Sequence, residues 1–271
     1  MQALGPLGRS VPAAAARHAP AQEEVPRDTV EIHAPGARPY YDAARDAADA
    51  ARYYGKLRQD RPLLSQLSRL LKDTHTRVLA YEPSKYLYPW VDRRPDGTLA
   101  GIYSGQPVSG MSAADQASGW TAAGLAAPLD AMSAAAAVAV RQNAYSCEHV
   151  VARDWFHDKQ PMRGDLHYLF TCGSADNSAR GHSPLGPRHG FVPSAGRGAV
   201  ARATFYFLVR YPHKVDRYSV EDLKALLKWH REDPVSDYER HRNAAIAVLQ
   251  GNRNPFVDHP EWAERLDLER M

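Results

Sequence analysis

The chain holds only two cysteines in 271 residues, Cys147 and Cys172. That is too few for a disulfide-built scaffold or a four-thiolate zinc site. One bridge or two buried free thiols would each fit the count. No run of about 18 apolar residues occurs, so no transmembrane helix is expected. Residues 1–9 contain no apolar h-region of the secretory type. There is no internal repeat. Acid is missing from one long window: from 177 to 215 there is neither Asp nor Glu. That window carries Arg180, Arg188, Arg197, Arg202, Arg210 and Lys214, with His182, His189 and His213. A cationic face of this kind suits a polyanion. A solvated loop face is the plain alternative. The net charge of +3 is too small to argue about partners.

What is present is enough for a core, with 44% hydrophobic residues over a length that suits one large domain or two modest ones. Residues 1–38, rich in Ala, Pro and Arg, read as a disordered leader. Residues 40–54 read as a helix with a face of alanines, closed by Gly55. Leucines at helical spacing predict a second helix over 63–71. Residues 76–90 are irregular or partly helical, and 99–103 read as a strand. Residues 109–139 are rich in Ala, Gly and Ser and fit either a helix in part, at 129–140, or a surface insertion. Residues 200–209 fit strand or helix. Ser219 with an acid three residues on predicts a capped helix. A last helix over 236–250 should stop at Gly251.

Chemistry gathers in three stretches. Residues 146–156 read Ser-Cys-Glu-His-Val-Val-Ala-Arg-Asp-Trp-Phe, residues 164–170 read Gly-Asp-Leu-His-Tyr-Leu-Phe, and residues 175–180 read Ala-Asp-Asn-Ser-Ala-Arg. Strands are predicted over 145–152 and 165–170, then a short helix over 174–180 with Ser174 as its cap. Glu148, His149 and Asn177 together make a phosphodiesterase set. An imidazole near its ordinary pKa of ~6.5 is a suitable base. A hard cation such as Mg²⁺ needs few protein ligands beyond one carboxylate and one amide oxygen. Neighbours on a strand point to opposite faces, so Glu148 and His149 serve one site only where the strand ends or twists. Each residue also has a plain reading. A lone strand His is usually core, an isolated Asn is usually a turn or cap, and His167 fits core packing or an orienting role. The twelve histidines are scattered and lack zinc-ligand spacing.

The run Cys147-Glu148-His149-Val150-Val151, followed by Trp155-Phe156, Gly164-Asp165-Leu166-His167 and Asn177, closely resembles the bacterial endonuclease I family. The end of the chain agrees, with Tyr238-Glu239-Arg240, Arg242-Asn243 and the stretch from Gln250-Gly251-Asn252-Arg253-Asn254-Pro255-Phe256 through Val257-Asp258-His259-Pro260. Asp73, His75 and Tyr81 fit more loosely. The likeness covers roughly residues 40–262. It implies an α+β fold with a ββα-metal (His-Me finger) core in a mostly helical surround. It divides the chain into the 1–38 leader, a 40–262 nuclease domain and a 263–271 tail.

The resemblance also implies a function. His149 would be the general base, and Glu148 and Asn177 the two ligands of one Mg²⁺, for which Mn²⁺ or Ca²⁺ could substitute. Arg180 or Arg202 would hold the phosphate in the transition state, with Asp165 and His167 orienting the site. Arg188, Arg197 and Arg253 are candidate phosphate contacts, and Asn252, Arg253 and Asn254 fit bracing the site through hydrogen bonds equally well. The expected reaction is non-specific endonucleolytic cleavage of DNA, with RNA open, leaving 5′-phosphates. The expected location is extracellular or periplasmic, with no membrane partner and an inhibitor protein only if the enzyme stays inside the cell. Ala152 stands where the family commonly has proline, and Tyr168 where Asn or His follows the Asp-Leu-His run. The competing reading is a catalytically decayed nuclease scaffold that binds nucleic acid.

Overall fold

The structure, a computed structural model, describes residues 40–109, 144–189 and 191–269. The expected leader at 1–38 and the ambiguous stretch at 110–139 lie outside these. Helix α1 (Ala43–Tyr54) starts at Asp42, whose carboxylate accepts from the Arg45 amide at 3.0 Å. Helix α2 (Leu63–Thr74) buries Leu67 and Leu71 one turn apart. An irregular run then leads into the one-turn α3 (Pro83–Tyr86) and a π-helical turn over Leu87–Val91.

The strand expected at 99–103 is shorter. β1 (Leu99–Ala100) pairs with β2 (Pro107–Val108) in an antiparallel ribbon. The chain turns after Ala100, and Ile102 donates its amide to Thr171 at 2.9 Å, which brings Tyr103 against the second sheet.

That sheet is β3 (Tyr145–His149) paired antiparallel with β4 (Leu169–Gly173), followed at once by helix α4 (Ser174–Arg180). The order strand, strand, helix is as expected. The limits are not. β4 begins at Leu169 rather than 165, because Asp165 accepts from the His167 amide at 3.1 Å and so caps a 3₁₀ turn over Leu166–Tyr168. The Asp-x-His run is thus a turn and not a strand. Ser174 does not cap α4 either. Its own amide is spent on Ala144 at 2.8 Å, and Gly173 takes the cap position.

α5 (Arg197–Arg210) decides the 200–209 ambiguity for helix. Every residue from Gly198 to Val209 is buried. Ala199, Ala201 and Ala203 let α2, α6 (Val220–Glu232) and the 166–168 turn approach its axis. A helix apolar on all sides is a core helix, and no amphipathic stripe exists to announce it. α6 and α7 (Asp237–Gln250) both begin with capping boxes, Ser219 with Asp222 and Ser236 with Glu239. Gly251 ends α7 at φ +94, and a Cβ there would lie 2.5 Å from the Thr74 carbonyl oxygen. α7 is not the last helix. α8 (Pro255–Asp258) and a 3₁₀ turn over Pro260–Arg265 follow. Ala263 is buried, and Leu266 and Leu268 pack on the core, so the folded unit extends past 262 into the expected tail. The class is α+β: helices around two small antiparallel sheets.

Candidate active site

The β3–β4 register sets the geometry. Ser146 is opposite Cys172, Cys147 opposite Thr171, and Glu148 opposite Phe170. Side chains alternate along a strand, so Ser146, Glu148 and Cys172 share one face while Cys147 and His149 share the other. Cys147 and Cys172 therefore point away from each other. Both are buried and neither is in a disulfide, so the bridge is excluded.

On the first face, Glu148 is buried, and its Oε1 takes two contacts. Tyr103 donates its hydroxyl at 2.6 Å, and Arg180 Nη1 lies 3.4 Å away. Burial pushes Glu148 up to about 7, against the pull of Arg180 and the Tyr103 hydrogen bond. Asn177, on α4, hangs from β3 beside it. Its Nδ2 donates to Ser146 Oγ at 2.9 Å and to the Cys147 carbonyl at 3.4 Å. A carbonyl only accepts, so the amide nitrogen must face the strand and Oδ1 must face away. Neither Glu148 Oε2 nor Asn177 Oδ1 makes a hydrogen bond within the described structure. Two hard oxygen atoms are thus left on one face, a set that fits a hard divalent cation. Cys172 is on the same face, but burial pushes its thiol well up, so it offers no thiolate for a soft metal. No cluster of three or more His, Cys, Asp and Glu exists among the described residues to form a closed metal cage.

His149 is the last residue of β3. Its Nε2 lies 3.0 Å from the Arg163 carbonyl oxygen and must donate there. That fixes the tautomer and leaves Nδ1 with a free lone pair. The ring lies 5.0 Å from Tyr81 and near Phe156 and Tyr168. Burial, aided by the guanidiniums of Arg153, Arg163 and Arg180, holds His149 down to about 3, so the ring is neutral at any ordinary pH but a weaker base than the imidazole near ~6.5 expected from the sequence. Gly164 makes this packing possible, since a Cβ there would lie 2.1 Å from the Leu79 carbonyl oxygen and push the Tyr81 segment off. Arg180 joins the two faces. Its Nη1 is on Glu148 and its Nη2 donates to the Val150 carbonyl at 2.7 Å, the residues on either side of His149.

The sequence model of the endonuclease I family matches residues 61–194 and 191–261, most of the chain. The chain belongs to the endonuclease I family. An extracellular ribonuclease of Bacillus subtilis (strain 168) is 35% identical over 153 residues, covering 44% of this chain and 52% of that protein. An extracellular deoxyribonuclease of Aeromonas hydrophila is 29% identical over 117 residues, covering 36% and 50%. A periplasmic deoxyribonuclease of the same organism is 29% identical over 117 residues, covering 36% and 48%. The chain spans about half the length of the curated relatives it matches.

Not every expected residue reaches the site of this endonuclease I chain. Arg202 is 1% exposed, and its guanidinium is held by Glu239 at 2.6 and 2.8 Å and by the Asp233 carbonyl at 2.9 Å. It ties α5 to α7 and has no surface for a phosphate. Arg253 is likewise buried between Asp46 and Asp258, with contacts at 2.7 and 2.8 Å. It locks α1 to the chain end. Asp165 and His167 brace rather than orient. Asp165 accepts from Tyr206, Tyr211, Gln250 and the His167 amide, and His167 donates to the Asn252 carbonyl at 3.1 Å. Neither contacts Glu148, His149 or Asn177. Asn252 and Asn254 are in the same bracing role. Arg188 is exposed and already faces Glu221 and Ser219, while Arg197 donates to the Pro193 carbonyl. The acid-free window is therefore less cationic than it reads, because Glu148, Glu239 and Glu221 come from outside it.

Two contributors escaped the sequence. Tyr103 holds Glu148 across 45 residues, and Ser146 aims Asn177. Ser146 could have been found, since it sits two residues before the glutamate and so on its face. Nothing local links Tyr103 to Glu148.

Proposed function

We propose that this chain is a non-specific endonuclease that hydrolyses phosphodiester bonds of DNA, and of RNA where offered, with one Mg²⁺ ion and His149 as general base. One observation carries the reading. Among the described residues, Glu148 Oε2, Asn177 Oδ1 and His149 Nδ1 make no hydrogen bond, while the remaining polar atoms of the same side chains are held in place. Family membership and nuclease-named relatives support the reaction class.

Glu148 and Asn177 would hold the ion, in the arrangement of a His-Me finger. Bound there, a hard cation supplies positive charge to the scissile phosphate and to the departing oxygen; Mn²⁺ or Ca²⁺ would supply the same charge. His149 Nδ1 takes a proton from the attacking water. The water oxygen bonds phosphorus, the bond to the 3′ oxygen breaks, and that oxygen leaves as a hydroxyl after protonation by solvent. The product carries a 5′-phosphate. Arg180 is buried, as Arg202 and Arg253 are, and is held between Glu148 and the Val150 carbonyl at the junction of the two faces, so it would fix Glu148 and reach a phosphate only where the substrate displaces one of those contacts. Binding would rest on phosphate contacts and weaken with salt. The relatives' names support action outside the cytoplasm, and no described helix is long and apolar enough to cross a membrane. The nuclease unit is assigned to residues 40–262, with Leu266 and Leu268 of the segment that follows packed on its core.

The deciding experiment is nicking of supercoiled plasmid with Mg²⁺ and with EDTA, wild type beside His149→Ala. Cleavage that needs both the ion and His149 is expected. Undiminished cleavage by His149→Ala would remove the base assignment. DNA binding without cleavage under every metal tried would favour the decayed scaffold.

A further inference from the structure

We propose that Arg153, Arg163 and Tyr81 form a seat for a second phosphate of the bound strand, next to the one that is cut, and that Asp158 holds this seat in the free protein. The proposal rests on the nuclease reading above. It places substrate contacts on the β3–β4 connection rather than in the acid-free window.

The geometry begins at Tyr81. Its ring lies 5.0 Å from the His149 ring on one side. The guanidinium of Arg163 is 5.6 Å from the same ring and that of Arg153 is 5.9 Å. Two cations are thus placed one aromatic ring away from the proposed base. Arg163 is tied to that base directly, since its own carbonyl oxygen receives His149 Nε2–H. A strand whose scissile phosphate meets His149 runs its neighbouring phosphate over this ring. Both arginine side chains are open to solvent, at 47% and 43% exposure. A planar fork with spare N–H groups is the group that best takes a phosphate.

The spare donors are visible. Arg163 Nε is buried, yet it makes no hydrogen bond. Asp158 lies 3.4 Å from it and 4.0 Å from Arg153 Nη1, near enough to neutralise charge but not aligned to satisfy the donor. The carboxylate therefore sits between two guanidiniums as a poor match, where a phosphate with more oxygen atoms would be a better one. Its position is imposed by the backbone. His157 and Asp158 are consecutive non-glycine residues in the left-handed region, at φ +56 and +53. The next residue in the chain, Lys159, is exposed.

The test is fluorescence anisotropy of a labelled 12-mer DNA, single- and double-stranded, in EDTA so that nothing is cut. It is run on the full chain as wild type, as the Arg153→Ala/Arg163→Ala double variant, as its Arg153→Lys/Arg163→Lys counterpart, and as Asp158→Asn. Plasmid nicking is run beside it. The alanine pair is expected to bind about ten-fold more weakly, with a salt slope shallower by about one to two. The lysine pair, which keeps both charges, is expected to restore the slope and so separates charge from folding. Asp158→Asn is expected to tighten binding several-fold without moving the Mg²⁺ midpoint of cleavage. Equal affinity and equal salt slope in wild type and the alanine pair would overturn the seat. Unchanged or weaker binding by Asp158→Asn would overturn the placeholder. A wild type that does not cut would sink the nuclease reading while the binding measurements still judge the seat.

Discussion

The end of β3 and the network around Asp165 are built from the same residue types: carboxylate, imidazole, amide and tyrosine, all largely buried. They differ in what is left over. Asp165 accepts from Tyr206 at 2.7 Å, Tyr211 at 2.8 Å, Gln250 at 2.9 Å and the His167 amide at 3.1 Å. Its oxygen atoms have nothing more to offer. Among the described residues, Glu148, Asn177 and His149 each keep one lone-pair atom without a hydrogen bond, and each has its other polar atom pinned. A carboxylate whose acceptor positions are all taken fixes a fold, even where His75 beside it makes no hydrogen bond through its ring among the described residues, and a cluster fixed on one side and open on the other is ready for a ligand. Residue type does not distinguish the two; remaining valence does.

The comparison is broken most directly by treating the two histidines alike. His149→Gln is expected to lower cleavage by about 10²- to 10⁴-fold, the usual worth of a general base, with the urea midpoint little changed. His167→Gln is expected to do the reverse and lose stability through its contacts with Asn252 and Tyr206 while the remaining folded protein still cuts. If His167→Gln abolished cleavage in fully folded protein, the division between bracing and chemistry would be wrong.

Arg202 sharpens the bracing side. It shares one carboxylate, Glu239, with the capping box that starts α7. Arg202→Ala would leave that carboxylate buried and unpaired, and a loss of about 3–5 kcal/mol is expected from urea denaturation. The same variant was a transition-state candidate on sequence grounds, so its kcat per folded molecule, expected near wild type, checks the reassignment.

How much of this was readable beforehand depends on the range of the interaction. Glu148, His149 and Asn177 sit in short motifs, and the ββα order, the Ser219 capping box and the Gly251 stop follow from local chemistry. Asp165 was misread as strand because Asp-x-His is ambiguous until the cap bond to the His167 amide is seen. Arg202 was misread because a positive charge in the sequence says nothing of its partner, here Glu239, 37 residues away. Arg253, for which bracing was an equal alternative, braces through Asp258 five residues on and Asp46 207 residues back. α5 was ambiguous because a helix buried all round has no period to detect.

Acid should expose the bracing cluster in turn. Burial holds His167 down to about 4, against the pull of Asp165, and holds His75 below its ordinary value as well. In the unfolded chain each imidazole takes its proton near ~6.5, so between that pH and about 4 the unfolded state binds more protons than the folded one. Stability is therefore full above ~6.5 and falls as pH drops through this window, by on the order of 3 kcal/mol for His167 alone. Urea midpoints at pH 7.5 and 5.0 read this directly. His167→Gln should flatten part of the difference, and an equal slope in the variant would assign it elsewhere.

The smallest effect tests the open cluster at its least conspicuous member. Ser146 Oγ takes one of the two Asn177 amide protons, and the Cys147 carbonyl takes the other. Ser146→Ala removes one of these and leaves the second, so the amide keeps its sense but gains freedom to swing. A neutral hydrogen bond of this kind is worth about 1 kcal/mol, which corresponds to roughly a five-fold rise in the Mg²⁺ concentration for half-maximal cleavage. The rate at saturating Mg²⁺ should stay close to wild type, because His149 lies on the opposite face and is untouched. A fall in that saturating rate with no change in the Mg²⁺ midpoint would show that Asn177 acts on the substrate rather than on the ion.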